Sequence, residues 1–174
     1  MNEATQVEPN EEGFLGEILD FDITDIPEFS GFEPLPIGDY LFEVKEPKFI
    51  QLERDDDGNR RVLAGVVCEV LEVLDVKNSD EDESKLVGRQ HEEVIFISES
   101  QSKADIDKSF GRLRLTLRHM GANNEGVVRN MIEGAVGLRF KAAIRHRANK
   151  NGGEPFANLS FPKRLMDTNT DPDA

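Results

Sequence analysis

Residues 135–164 read AVGLRFKAAIRHRANKNGGEPFANLSFPKR, and this stretch decides the fold. From Val136 to Arg147 the residue types alternate. Val136, Leu138, Phe140, Ala142 and Ile144 share one parity, and Arg139, Lys141, Arg145 and Arg147 the other. Successive side chains of a β-strand point to opposite faces, so this pattern predicts a strand that buries an apolar row and presents a cationic one. Asn149-Lys150-Asn151-Gly152-Gly153 follows, with residue types that accept the positive φ of a tight hairpin. A return strand is predicted from Pro155 to about Leu165. In it Ala157, Leu159 and Phe161 face the core, while Phe156, Asn158, Ser160 and Arg164 share the other parity. One face of the hairpin then combines guanidinium and ammonium groups, an aromatic ring and small polar groups, which is equipment for holding a single-stranded nucleic acid.

The formal charge of the 174-residue chain, −14, opposes a polyanionic partner until its distribution is read. Residues 1–34 hold ten acids and no base, whereas residues 103–166 hold 13 bases against five acids. Binding responds to the local field, so the basic C-terminal third determines which partners are attracted. The alternative is a solvated basic face that pairs with the acidic loops.

The length suits one domain. No apolar run is long enough to span a membrane, and no basic-then-apolar leader opens the chain, so the expectation is an intracellular protein with no membrane partner. The single cysteine, Cys68, sits in an apolar run and reads as a buried structural thiol. His91, His119 and His146 are scattered and give no zinc spacing, and nothing in the sequence calls for a cofactor.

Residues 1–34 form a predicted acidic, largely disordered arm, although Phe14, Phe21, Phe29 and Phe32 lie among its acids. Such an arm can fold onto a partner, occupy a basic groove in competition with nucleic acid, or serve as a solubilising tail. Residues 35–166 form the folded domain, and 167–174 a short acidic tail. Tyr40, Phe42 and Val44 alternate with Leu41, Glu43 and Lys45 in a strand that runs to about Leu52, where Pro47 marks a bulge or an edge. Asp55 to Asn59 is a turn by composition. Counted from Asp55, the sixth place of a calcium loop, where glycine is required, is Arg60. Val62 to Leu74 and Leu86 to Ser98 supply the second and third strands. Ile106, Phe110, Leu113 and Leu117 then recur at helical spacing, predicting a helix from Lys103 to Met120 with Gly121 as its stop. A short helix around Gly126 to Ile132 precedes the hairpin.

Three strands, a helix and two strands is the order of the OB-fold, a mainly β, five-stranded antiparallel Greek-key barrel. A sandwich of five or six strands with one helix is the competing architecture. Leu35-Pro36-Ile37-Gly38-Asp39-Tyr40, Leu86-Val87-Gly88-Arg89, Leu117-Arg118-His119-Met120-Gly121 and Asn158-Leu159-Ser160-Phe161 together resemble a group of phage single-stranded DNA-binding proteins with an OB-fold. The resemblance covers about Leu35 to Asp167. It implies single-strand binding without sequence preference, in DNA replication or recombination within a bacterial host. It also implies recruitment of replication or recombination proteins by an acidic tail. This chain departs from the family there, because its heavier acidic segment is N-terminal.

On this reading Arg139, Lys141, Arg145 and Arg147 contact phosphates, with Lys150, Lys163 and Arg164 extending the track. About five neutralised phosphates would give a log–log salt slope of roughly −3 to −4. Phe156, and Phe49 beside Lys45 and Lys48, would stack bases at about 1–3 kcal/mol each. Phe42, Phe96, Phe110, Phe140 and Phe161 have core parity. No nucleophile elbow, phosphate-binding glycine loop or paired-histidine motif is present, so an enzyme is not expected. A structural or protein-interaction module is the alternative to nucleic-acid binding.

Overall fold

A computed structural model of the chain describes residues 34–77 and 79–167. Nearly all of the acidic arm and most of the C-terminal tail lie outside these residues. Five strands, β1 (Gly38–Leu52), β2 (Arg61–Val76), β3 (Gln90–Ser98), β4 (Arg139–Arg147) and β5 (Phe156–Ser160), form one antiparallel sheet in the order β3-β2-β1-β4-β5. Between β3 and β4 lie helices α1 (Lys103–His119) and α2 (Val128–Gly134), and α3 (Lys163–Met166) follows β5. The domain is therefore mainly β, with the predicted sequence of elements. Among the described residues β3 and β5 are the two ends of the sheet and no ladder joins them.

The long strand β1 carries the architecture. Tyr40, Phe42 and Val44 turn inward and are 0%, 0% and 1% exposed, while Leu41, Glu43 and Lys45 turn outward. β2 pairs with β1 along its whole length, but β4 pairs only with Gly38 to Glu43. A bulge between Val44 and Glu46 marks the place where the β4 ladder runs out. Pro47 follows at once, where β1 has β2 on one side only and a missing N–H donor is tolerated. Close approach of the strands explains two glycines. A Cβ built on Gly38 would strike the Asp75 carbonyl oxygen, and one on Gly65 the Glu93 carbonyl oxygen.

The core fills the inner face of the sheet. Phe42 stacks on Phe140 at 5.5 Å between ring centroids, and Phe161 closes on Phe140 at 5.8 Å. Helix α1 lies against β3 and buries Leu113 and Leu117. The Ser102 side chain accepts from the Asp105 N–H at its start, satisfying one of the first-turn donors. Gly121, in the left-handed region at φ 85°, ends it as predicted. Cys68 is buried, and burial pushes its thiol up to about 12. The native protein is therefore expected to resist iodoacetamide and to be alkylated only after denaturation; rapid labelling of native protein would contradict this packing.

Several expected boundaries shift, each for a local reason. The alternation that begins at Val136 does not begin as strand: Gly137 takes φ 88°, Val136 is exposed, and β4 starts at Arg139. Leu86, expected to open the third strand, is instead fully buried after a 3-10 turn at Glu83–Lys85, and β3 starts at Gln90. The return strand stops at Ser160. Pro162, extended, is the N-cap of α3, which places Lys163 and Arg164 on a helix rather than on the strand. Phe96 does not pack in the core. It is 41% exposed, because the ladder sets it opposite Leu63 on the outward face while Ile95 opposes core-facing Ala64; the unbroken apolar run Val94 to Ile97 gives no parity from which to read this. Among the described residues no helix is long and apolar enough to cross a membrane.

Candidate nucleic-acid interface

The alternation on β4 and β5 holds. Phe140, Ala142 and Ile144 are buried, and Arg139, Arg145 and Arg147 are exposed on the other face with Lys141 half-buried between them. In the ladder, Arg145 lies opposite Asn158 and Arg147 opposite Phe156. Directly opposed residues project from the same face, so the two guanidiniums, the amide and the ring form one cluster at the loop end of the hairpin. Phe156 is 54% exposed, far more than a ring placed for packing.

Counter-charges then divide the cationic row. Glu43 lies opposite Arg139 on β1 and accepts from its Nε at 2.9 Å, while Lys45 donates to the other Glu43 oxygen at 2.7 Å. The Lys45 hydrogen bond, and after it that of Arg139, hold the Glu43 carboxyl below the usual carboxylate range. At neutral pH Glu43 is charged and offsets its neighbours. Lys45 also approaches Glu69 at 3.6 Å. By contrast, among the described residues Arg145 and Arg147 take part in no ion pair or side-chain hydrogen bond. The uncompensated positive charge of β4 is therefore concentrated at its C-terminal half, beside Phe156.

Lys150 sits in the β4–β5 loop, which Asn149 shapes by accepting from the Asn151 N–H at 3.0 Å and the Gly152 N–H at 3.1 Å. Lys163 is exposed at the start of α3, beyond Ser160 and so past the opposite end of the β4–β5 ladder from Phe156. Arg164 is engaged otherwise: its Nη2 donates to both oxygens of Asp39, at 2.9 and 2.7 Å. Asp39 is only 7% exposed and projects from β1 opposite Ala143, the one position where the outward row of β4 lacks a cation. Arg164 thus both balances a buried carboxylate and brings a guanidinium to that gap.

The expected contribution from the first strand does not join this cluster. Lys48 is ion-paired with Glu92 on β3. Phe49 lies on the other face: the bulge between Val44 and Glu46 shifts the register so that Phe49 opposes Ala64, which packs on the core side. There the Arg129 guanidinium of α2 covers its ring at 5.3 Å from the centroid. Phe96 is the aromatic that parity misassigned. It stands outward opposite Leu63, which in turn opposes Ile50, at the far end of β1 from Phe156. An apolar run without alternation carries no signal that could have exposed it. Asp55, in the aspartate-rich turn, accepts from the backbone and side chain of Asn59 and serves as a turn residue. Among the described residues no group of three or more His, Cys, Asp or Glu side chains converges on a metal position.

Chemically, the β4–β5 face offers two guanidiniums that have no ion-pair partner among the described residues, flexible ammonium groups and an exposed ring. It suits an anionic polymer with flat, stackable units. Comparison with known proteins finds no family model that matches the chain and no curated sequence that resembles it.

Proposed function

We propose that the protein binds single-stranded DNA, without sequence preference, on the outward face of β4 and β5. The observation that carries this reading is the cross-strand pair of Arg147 and Phe156, exposed together and flanked by Arg145, which has no ion-pair partner among the described residues. In this arrangement the guanidiniums meet successive phosphates and the ring stacks on a base. An exposed ring on a sheet face stacks on bases that are already unstacked, so a single strand offers it more than a duplex does. The strand order β3-β2-β1-β4-β5, with a helix between β3 and β4, supports an OB-fold, the Greek-key barrel used for such ligands. Phe96 is then a second stacking position on the outward face of β3. A role in phage DNA replication or recombination, with partner proteins recruited through the acidic arm, belongs to the same proposal and rests on the sequence resemblance.

The test is fluorescence anisotropy of a labelled single strand and of the matching duplex, at two or more salt concentrations. Arg145, Arg147, Lys150 and Lys163 neutralising about three to four phosphates predict a log–log slope of roughly −2 to −3, with the single strand preferred. That slope is shallower than five contacts would give, because Arg139 is already paired with Glu43. Absence of binding at low salt would refute the reading and favour a protein-interaction module.

A further inference from the structure

Three cations from three different elements line one small cavity at the start of β1. Lys77 comes from the end of β2, Arg145 from β4 and Arg164 from α3, and Asp39 and Ala143 complete its wall. The placement is determined by the backbone. The Lys77 N–H donates to the Ile37 carbonyl at 3.0 Å, and Gly38, whose missing Cβ admits the Asp75 carbonyl, lets the end of β2 close on the start of β1. Among the described residues the sole carboxylate in the wall, Asp39, is engaged by Arg164. Three positive charges therefore face one negative charge, and Lys77 and Arg145 make no ion pair or side-chain hydrogen bond among the described residues. Asp75, opposite Asp39 on β2, is exposed and does not line the cavity.

We infer that this cavity is a phosphate subsite, held by Lys77, Arg145 and Arg164. The inference rests on the single-strand reading for the source of the phosphate. Arg145 belongs both to the cavity and to the Arg147–Phe156 cluster, so a strand lying on β4 and β5 continues into it. Ala143, the small residue of the outward row of β4, forms part of the cavity wall between Arg145 and Arg164. Asp39 is a positioning residue: it holds the Arg164 guanidinium over β1, and the planar fork suits a phosphate oxygen with its remaining N–H groups. Lys77, exposed and remote in sequence from the basic hairpin, gains a binding role that its surroundings in the chain do not suggest.

Two measurements on the full chain test this. In 1H–15N correlation spectra titrated with inorganic phosphate at low salt, the amide signals of Gly38, Asp39 and Ala143 should shift saturably, and should shift less in Lys77→Ala. In anisotropy, Lys77→Ala should weaken single-strand binding several-fold and make the salt slope shallower by about 0.7, the share of one phosphate. Lys103→Ala, which removes an exposed charge on α1 at 92% side-chain exposure, should leave the slope unchanged. Phosphate shifts without strand binding would retain the subsite and refute the β4–β5 reading. Strand binding with a Lys77→Ala slope equal to the native one, and pocket amides that ignore phosphate, would overturn the subsite alone.

Discussion

The triple substitution of Arg145, Arg147 and Phe156 by alanine is expected to weaken single-strand binding by about two orders of magnitude at low salt. Loss of two phosphate contacts makes the salt slope shallower by about 1.4, and loss of one stacking ring removes a further 1–3 kcal/mol that salt does not screen. The two effects separate experimentally: Phe156→Ala alone should lower affinity in parallel at all salt concentrations, and Arg145→Ala with Arg147→Ala should change the slope. All three side chains are exposed, so the fold should survive, and circular dichroism with a thermal melt verifies it. Arg139→Ala is the comparison that matters. Sequence parity makes it equivalent to Arg145→Ala, whereas its ion pair with Glu43 predicts a smaller effect on binding. Equal losses at the two positions would show that Glu43 does not offset Arg139 in solution, and an undiminished affinity of the folded triple variant would place the binding face elsewhere.

The largest effect on stability is expected from Phe140→Ala. Phe140 is 1% exposed, lies between Phe42 and Phe161, and links β4 to β1 at the centre of the sheet. Truncating a buried phenylalanine removes its transfer free energy and leaves a cavity, at a cost of about 3–5 kcal/mol. For a domain of this size the melting temperature should fall by roughly 10–20 °C. Phe96→Ala, on an outward and partly exposed ring, should cost far less. Chemical denaturation of both variants measures the contrast. Comparable losses would mean that Phe96 packs against something the outward face of β3 does not show.

These two experiments also separate what periodicity predicts from what packing adds. Along β4 the alternation of large apolar and cationic residues is strict, and burial of one row is energetically decisive, so Phe140, Ala142 and Ile144 went inward and Arg145 and Arg147 outward, as read. The same held for Tyr40, Phe42 and Val44 on β1 and for the apolar stripe of α1. Where the local pattern was degenerate, parity failed. Val94 to Ile97 offers apolar residues to both faces, and Phe96 turned outward. Where the backbone inserted a residue, parity inverted: the bulge after Val44 carried Phe49 off the outward face of Glu43 and Lys45 to the core side and set it under Arg129.

The sequence by itself determined the mainly β character, the order of strands and helices, most of the core-facing rows, and the two arginines and the ring that the hairpin exposes together on one face. Each depends on neighbours within one element, whose periodicity is set by covalent geometry. Tertiary structure alone decided which of the cations remain available. Glu43 reaches Arg139 across 96 residues and Asp39 reaches Arg164 across 125, through the antiparallel register of β1 with β4 and the fold of α3 over it. Lys77 joins Arg145 and Arg164 at one cavity by the same route. A charge's partner is a matter of a few ångströms in space, and distance along the chain carries no record of it.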